Sequence, residues 1–130
     1  MGLDMYLNAK RYISKYSDEE LGNKLAQEFP ELAKIGKALN GVSVEAMYWR
    51  KANAVHNWFV QNVQGGEDNC ARYYVSQEKL EQLKADCEDS LRAYLEGDKA
   101  EAENIMAPTS GFFFGSTEID EWYAKDLNHT

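Results

Sequence analysis

Twice along this chain apolar and polar residues alternate strictly, and each time the spacing then lengthens to that of a helix. Leu3, Met5 and Leu7 alternate with Asp4, Tyr6 and Asn8, and Val42, Val44, Ala46 and Tyr48 repeat the pattern. A period of two marks a half-buried strand, so strands are expected at about 3–9 and 42–49. Between them, Ser17-Asp18-Glu19-Glu20 has the form of a capping box, with Ser17 at the helix start and Glu20 reaching back to it. A short helix should follow with Leu21, Leu25 and Ala26 inward. Pro30 suits the first turn of a second, carrying Leu32, Ile35 and Leu39 inward until Asn40-Gly41 turns the chain.

After Lys51 the helical period dominates. Ala52, Val55, Phe59 and Val63 form one stripe with His56 beside it, and Gly65-Gly66 stops the helix. Arg72 to Val75 reads as a short third strand. Ser76 is a good N-cap for the longest helix, about 77–95, whose stripe is Leu80, Leu83, Cys87, Leu91 and Tyr94. A weaker helix is expected over 98–106, then a loop or short strand over 108–115. Ser116 or Thr117 can cap a last short helix, with Glu118 and Asp120 near its positive end. Two or three short strands among four or five helices make an α+β domain, and the missing βαβ alternation argues against a doubly wound sheet. At 130 residues the chain is expected to be one domain, 1–130.

Charge and composition narrow the function. Fourteen basic residues against 22 acidic ones give a net charge of -8, which opposes direct nucleic-acid binding, since that draws on cationic contacts with phosphate. No apolar run approaches the ~20 residues of a membrane helix, and the first residues lack the regions of a signal peptide, so a cytoplasmic protein is expected. Cys70 and Cys87 are not spaced as a metal motif and read as reduced core thiols. No metal and no cofactor are expected. Nor is any Walker loop, GxSxG or HExxH present, so catalysis is not the leading expectation.

Two clusters carry the candidate site. At the second strand-to-helix junction, Tyr48-Trp49-Arg50-Lys51 and His56 combine a planar cation, a point charge and rings that can bracket a flat ligand. Further on, Gly111-Phe112-Phe113-Phe114-Gly115 leads to Trp122-Tyr123. Successive side chains of an extended segment alternate, so three phenylalanines cannot all face one core. Phe112, Phe114 and Trp122 are therefore taken as pocket or interface residues, and a second copy of the chain is one way to cover them.

The blocks Gly2-Leu3-Asp4-Met5-Tyr6, Tyr48 to Asn53 with His56, Trp58 and Phe59, Tyr74-Val75-Ser76, and Ser110 to Tyr123 together resemble a family of small uncharacterised proteins encoded by bacteriophages and prophages. The resemblance implies a setting, not a reaction: an accessory protein acting on a host pathway, often a defence system. It also implies a missing C-terminal extension, because relatives continue past the position of Thr130 into a longer helix and a last strand. Three functions then compete. One is sequestration of an anionic, nucleotide-like small molecule by Tyr48, Trp49, Arg50, Lys51, His56, Phe112, Phe114 and Trp122. The others are an acidic protein–protein inhibitor of a host defence protein, and an enzyme on a nucleotide-like substrate.

Overall fold

In a computed structural model describing residues 4–36, 39–109 and 117–130, the two alternating segments are the two strands, β1 (Asp4–Tyr12) and β2 (Gly41–Arg50). They pair as a two-stranded antiparallel sheet. Six helices complete an α+β fold: α1 (Glu19–Glu28), α2 (Pro30–Ile35), α3 (Asn53–Asn62), α4 (Gln77–Leu95), α5 (Lys99–Ile105) and α6 (Glu121–His129). The third strand expected at 72–75 does not form. Cys70 takes a left-handed φ of 56°, the Ala71 N–H is turned back onto Asn69 Oδ1 at 3.2 Å, and Tyr73 donates its hydroxyl to the same atom. That Asx turn takes the place of strand pairing.

The chain divides into two compact units, Tyr6–Tyr48 and the remainder, Met1–Met5 with Trp49–Thr130. In the first, Ile13 is the buried hydrophobic among the described residues, tied to the start of β2 by its N–H on the Asn40 carbonyl at 2.9 Å. Gly41 suits this close approach, because a Cβ on it would press to 3.0 Å from the Arg11 carbonyl oxygen. The capping box is not used. Asp18 is the N-cap of α1, but its carboxylate turns backward to accept from Ser14 N–H at 3.0 Å and to meet Arg11 at 3.8 Å. Helices α1 and α2 bury no residue, and Leu32 and Ile35, expected inward, are exposed. A helical period marks an apolar stripe without guaranteeing that anything covers it.

In the second unit the stripes do find partners. α4 packs on α5 and α6, and α3 meets α6. Ser76 caps α4 as expected, its hydroxyl accepting from Lys79 N–H at 3.2 Å. Gly97, at φ 85°, ends that helix in a Schellman turn, with Gly97 N–H on the Tyr94 carbonyl and Asp98 N–H on that of Ala93. Asp98 then caps α5. The cap of α6 is Asp120, not Ser116 or Thr117, its carboxylate accepting from Trp122 and Tyr123 N–H. This short helix is held by burial of Tyr123 and Leu127.

A polar knot ties α4, α5 and α6 together. Tyr123 Oη lies 2.7 Å from Ser90 Oγ, 2.7 Å from the Met106 carbonyl and 2.9 Å from that of Ala102, all buried. Two hydroxyl protons must serve these contacts. Ala102 already accepts from Met106 N–H at 3.0 Å. The arrangement that satisfies every group therefore has Ser90 donating to Tyr123 and Tyr123 to Met106. Burial pushes the Tyr123 hydroxyl up to about 12, so it stays a donor across the working pH range.

Candidate functional site

At the turn from β2 into α3 the residues singled out in the sequence separate into two kinds. Trp49 is core: its indole N–H donates to Thr130 Oγ1 at 2.9 Å, and its ring meets Phe59 edge-on at 5.6 Å. Arg50 and Lys51 are exposed, and Lys51 sits at φ 53°, a left-handed conformation that a side chain rarely takes and that bends the chain sharply into α3. Tyr48 belongs to the other unit and stacks at 5.0 Å on Tyr6. Trp122 is exposed, with Lys125 Nζ 4.2 Å above its ring. Phe112 and Phe114 lie outside the described residues.

His56 is buried. Its Nε2 is 2.9 Å from Asp68 Oδ2, and its Nδ1 is 3.3 Å from the Met5 sulfur. A carboxylate that orients an imidazole is half of a catalytic relay, but the other ring nitrogen here faces a thioether inside the protein. The pair is therefore an internal brace between α3 and the following loop. Asp68 carried no sequence signal beyond its place in a polar loop.

Sequence reasoning also passed over two asparagines one helical turn apart on α3. Asn53 grips Thr109 twice, donating to its carbonyl and accepting its N–H, both at 2.7 Å. Asn57 donates to the Ala107 carbonyl at 2.8 Å. A carboxamide carries the same donor and acceptor as a peptide unit, so these side chains act as a surrogate strand for 107–109. Trp58 completes the outer side of α3 with an indole N–H to Asp86 at 2.7 Å.

Two shallow depressions lie elsewhere. One, about 200 Å³, is lined by amides of α3 and α5, among them Asn57, Gln61 and Asn104. The other, about 260 Å³, lies between the ends of β1 and β2 near Arg11 and Val42. Neither is lined by any residue of the expected site. Among the described residues no group of His, Cys, Asp and Glu could hold a metal ion, and no helix is long and apolar enough to cross a membrane. Cys87 is buried, whereas Cys70, expected in the core, is exposed.

Charge is divided unevenly. Tyr6–Tyr48 contains six Lys and Arg and six Asp and Glu; the other eight basic and 16 acidic residues give the remaining unit the whole net charge of -8. Set against protein-family models, curated proteins and solved structures, the chain matches none of them. What the coordinates define is a small α+β protein with a neutral unit and a strongly acidic one.

Proposed function

We propose that this chain is a phage accessory protein that acts by binding a protein, as an acidic inhibitor of a basic host defence component. The observation that carries this reading is the concentration of the full -8 charge in one unit, whose exposed carboxylates include Glu78, Glu81, Glu101 and Glu103 on α4 and α5. Such a field steers a cationic partner inward and opposes an anionic ligand. The phage setting rests on the sequence resemblance. A second reading, sequestration of a nucleotide-like anion, is favoured by one feature: two exposed cations, Arg50 and Lys51, adjoin at the start of α3, where no side chain caps the helix.

The test is binding to proteins of a bacterial host at low and at high salt, with wild-type chain and with Glu78, Glu81, Glu101 and Glu103 changed together to Gln. Acidic recognition predicts a basic partner whose affinity falls with salt and falls again in the Gln variant. A complex indifferent to both changes would refute it. Stabilisation by nucleotides that disappears in Arg50→Ala would move the function to the second reading.

A further inference from the structure

Asn40 and Gly41 stand where β2 begins, beside the exit of β1. Ile13 donates its N–H to the Asn40 carbonyl at 2.9 Å, so that carbonyl points towards β1. In a trans peptide the carbonyl and the next N–H point in opposite directions, and there is no cis bond among the described residues. The Gly41 N–H is thus turned outward, to the side of β2 on which no strand lies among the described residues. The Asn40 side chain is exposed, and its carboxamide has no hydrogen-bond partner among the described residues. An electrophilic carboxamide and the backbone nitrogen that follows it are therefore both unheld.

The other eight asparagines are each restrained. Asn53, Asn57 and Asn62 donate to carbonyls, and the Asn69 carboxamide oxygen accepts twice. Asn23, Asn104 and Asn128 lie within helices, where the following N–H is bonded one turn back. Asn8 is followed by Ala9, whose Cβ crowds the nitrogen that would attack. Gly41 has no such atom. The ribbon favours that absence, since a Cβ there would press to 3.0 Å from the Arg11 carbonyl oxygen, and the same absence opens Asn40 to attack.

We infer that Asn40 is a site of spontaneous modification, converting to aspartate and isoaspartate through a cyclic imide with Gly41. The Gly41 nitrogen, its proton taken by hydroxide, bonds to Asn40 Cγ; the Cγ–Nδ2 bond breaks and ammonia leaves. Water then cleaves the ring on either side of that nitrogen. Cleavage at Cγ gives aspartate, and cleavage at the main-chain carbonyl carbon gives isoaspartate, whose chain runs through Cγ. Nothing is oxidised or reduced. Attack requires the Asn40-Gly41 peptide to rotate and release Ile13, one hydrogen bond at the end of a two-stranded ribbon, where opening is easiest.

By this reaction the neutral unit gains a carboxylate in the depression that Asn40 lines with Lys10 and Arg11, and its balance of six charges of each sign is lost. In the isoaspartyl form the added main-chain atom displaces the carbonyl that anchors Ile13, the buried hydrophobic of this unit among the described residues. The inference is independent of the acidic-inhibitor reading, which concerns the other unit.

The test is to hold the full chain, native and in urea, at body temperature and mildly alkaline pH, and to follow its peptides by mass spectrometry. Isoaspartate is scored by labelled methyl transfer from S-adenosylmethionine with a protein isoaspartyl methyltransferase. The expected result is a gain of about one dalton, NH2 becoming OH, first on the native peptide that holds Asn40, with methyl acceptance that Asn40→Gln abolishes. A native chain intact at Asn40 while the unfolded chain converts overturns the inference, because the ribbon then holds the pair apart. Earlier conversion of any other asparagine overturns it too. Amide exchange reads the structural consequence: the Ile13 N–H stays protected in wild type and in Asn40→Asp, and loses protection in the isoaspartyl form. Unchanged protection in that form refutes the displacement of the anchor.

Discussion

Changing Tyr123 to Phe tests the proton count at the α4–α5–α6 knot. The ring stays, so packing is preserved, and only the hydroxyl is lost. Ser90 can redirect its proton to the Ala102 carbonyl, 2.9 Å away. The Met106 carbonyl loses the donor at 2.7 Å, in a residue 1% exposed. One buried acceptor left without a partner costs ~1–3 kcal/mol. In a domain of this size each kcal/mol lowers the melting temperature by roughly 3–5 °C, so a fall of about 3–15 °C is expected. Ser90→Ala removes a different link, because Tyr123 still donates to Met106, and should cost ~1 kcal/mol. The double variant should fall short of the sum by at least ~0.5 kcal/mol, as hydroxyls in one chain are coupled. Urea unfolding followed by tryptophan fluorescence is the assay, since Trp49, Trp58 and Trp122 all lie in the unit concerned. A loss below ~0.5 kcal/mol for Tyr123→Phe, or strict additivity, would show that the knot does not work as argued.

Asp126 gives a pH dependence: burial first, and then nearby Asp120, raise its carboxyl to about 6 despite His129, which pulls the other way. Its folded pKa lies above the unfolded value of 3.8, so the cost of ionising it in the fold is complete above about pH 6 and gone below about pH 4. Asp126→Asn should therefore stabilise the protein by roughly 1 kcal/mol at neutral pH, a figure reduced for partial exposure, with no gain near pH 4, as read by urea midpoints at both. Equal effects at the two pH values would refute the assignment. The cysteines should differ sharply. Burial, followed by Asp86 and Glu88, pushes the Cys87 thiol up to about 12, while Cys70 is exposed. A chromogenic disulfide should titrate one thiol in the native chain, none in Cys70→Ser, and both after unfolding; rapid release of two from the native protein would contradict this.

Where period, cap and stop signal coincided, the sequence was a sufficient guide. Ser76, the Leu83–Cys87 stripe and Gly97 each specify α4 independently, and both strands followed from alternation. Reading failed where a local pattern depended on a partner far along the chain. Leu32 and Ile35 have the spacing of an inner face, yet nothing in the described contacts buries them. Tyr73-Tyr74-Val75 has strand composition, and among the described residues no strand pairs with it. The site was less legible than the fold, because side-chain chemistry is decided by tertiary neighbours. Trp49 and His56 read as rings that bracket a ligand until Thr130 takes the N–H of the first and Asp68 closes on the second from 12 positions away.

The surroundings of α3 also bear on how such a chain can diverge. Seven of its ten residues are buried, leaving Asn57, Gln61 and Asn62 as a narrow outer edge, whereas α4 buries four of 19. So long as its negative charge is kept, drift can rewrite much of the outer surface of α4. Along α3 a single change disturbs a clasp at Thr109, a brace at Asp68 or a clamp at Asp86, and survives only with a matching change at the other end. Two descendants of this sequence could thus lose nearly all identity elsewhere and still share the stretch from Asn53 to Val60.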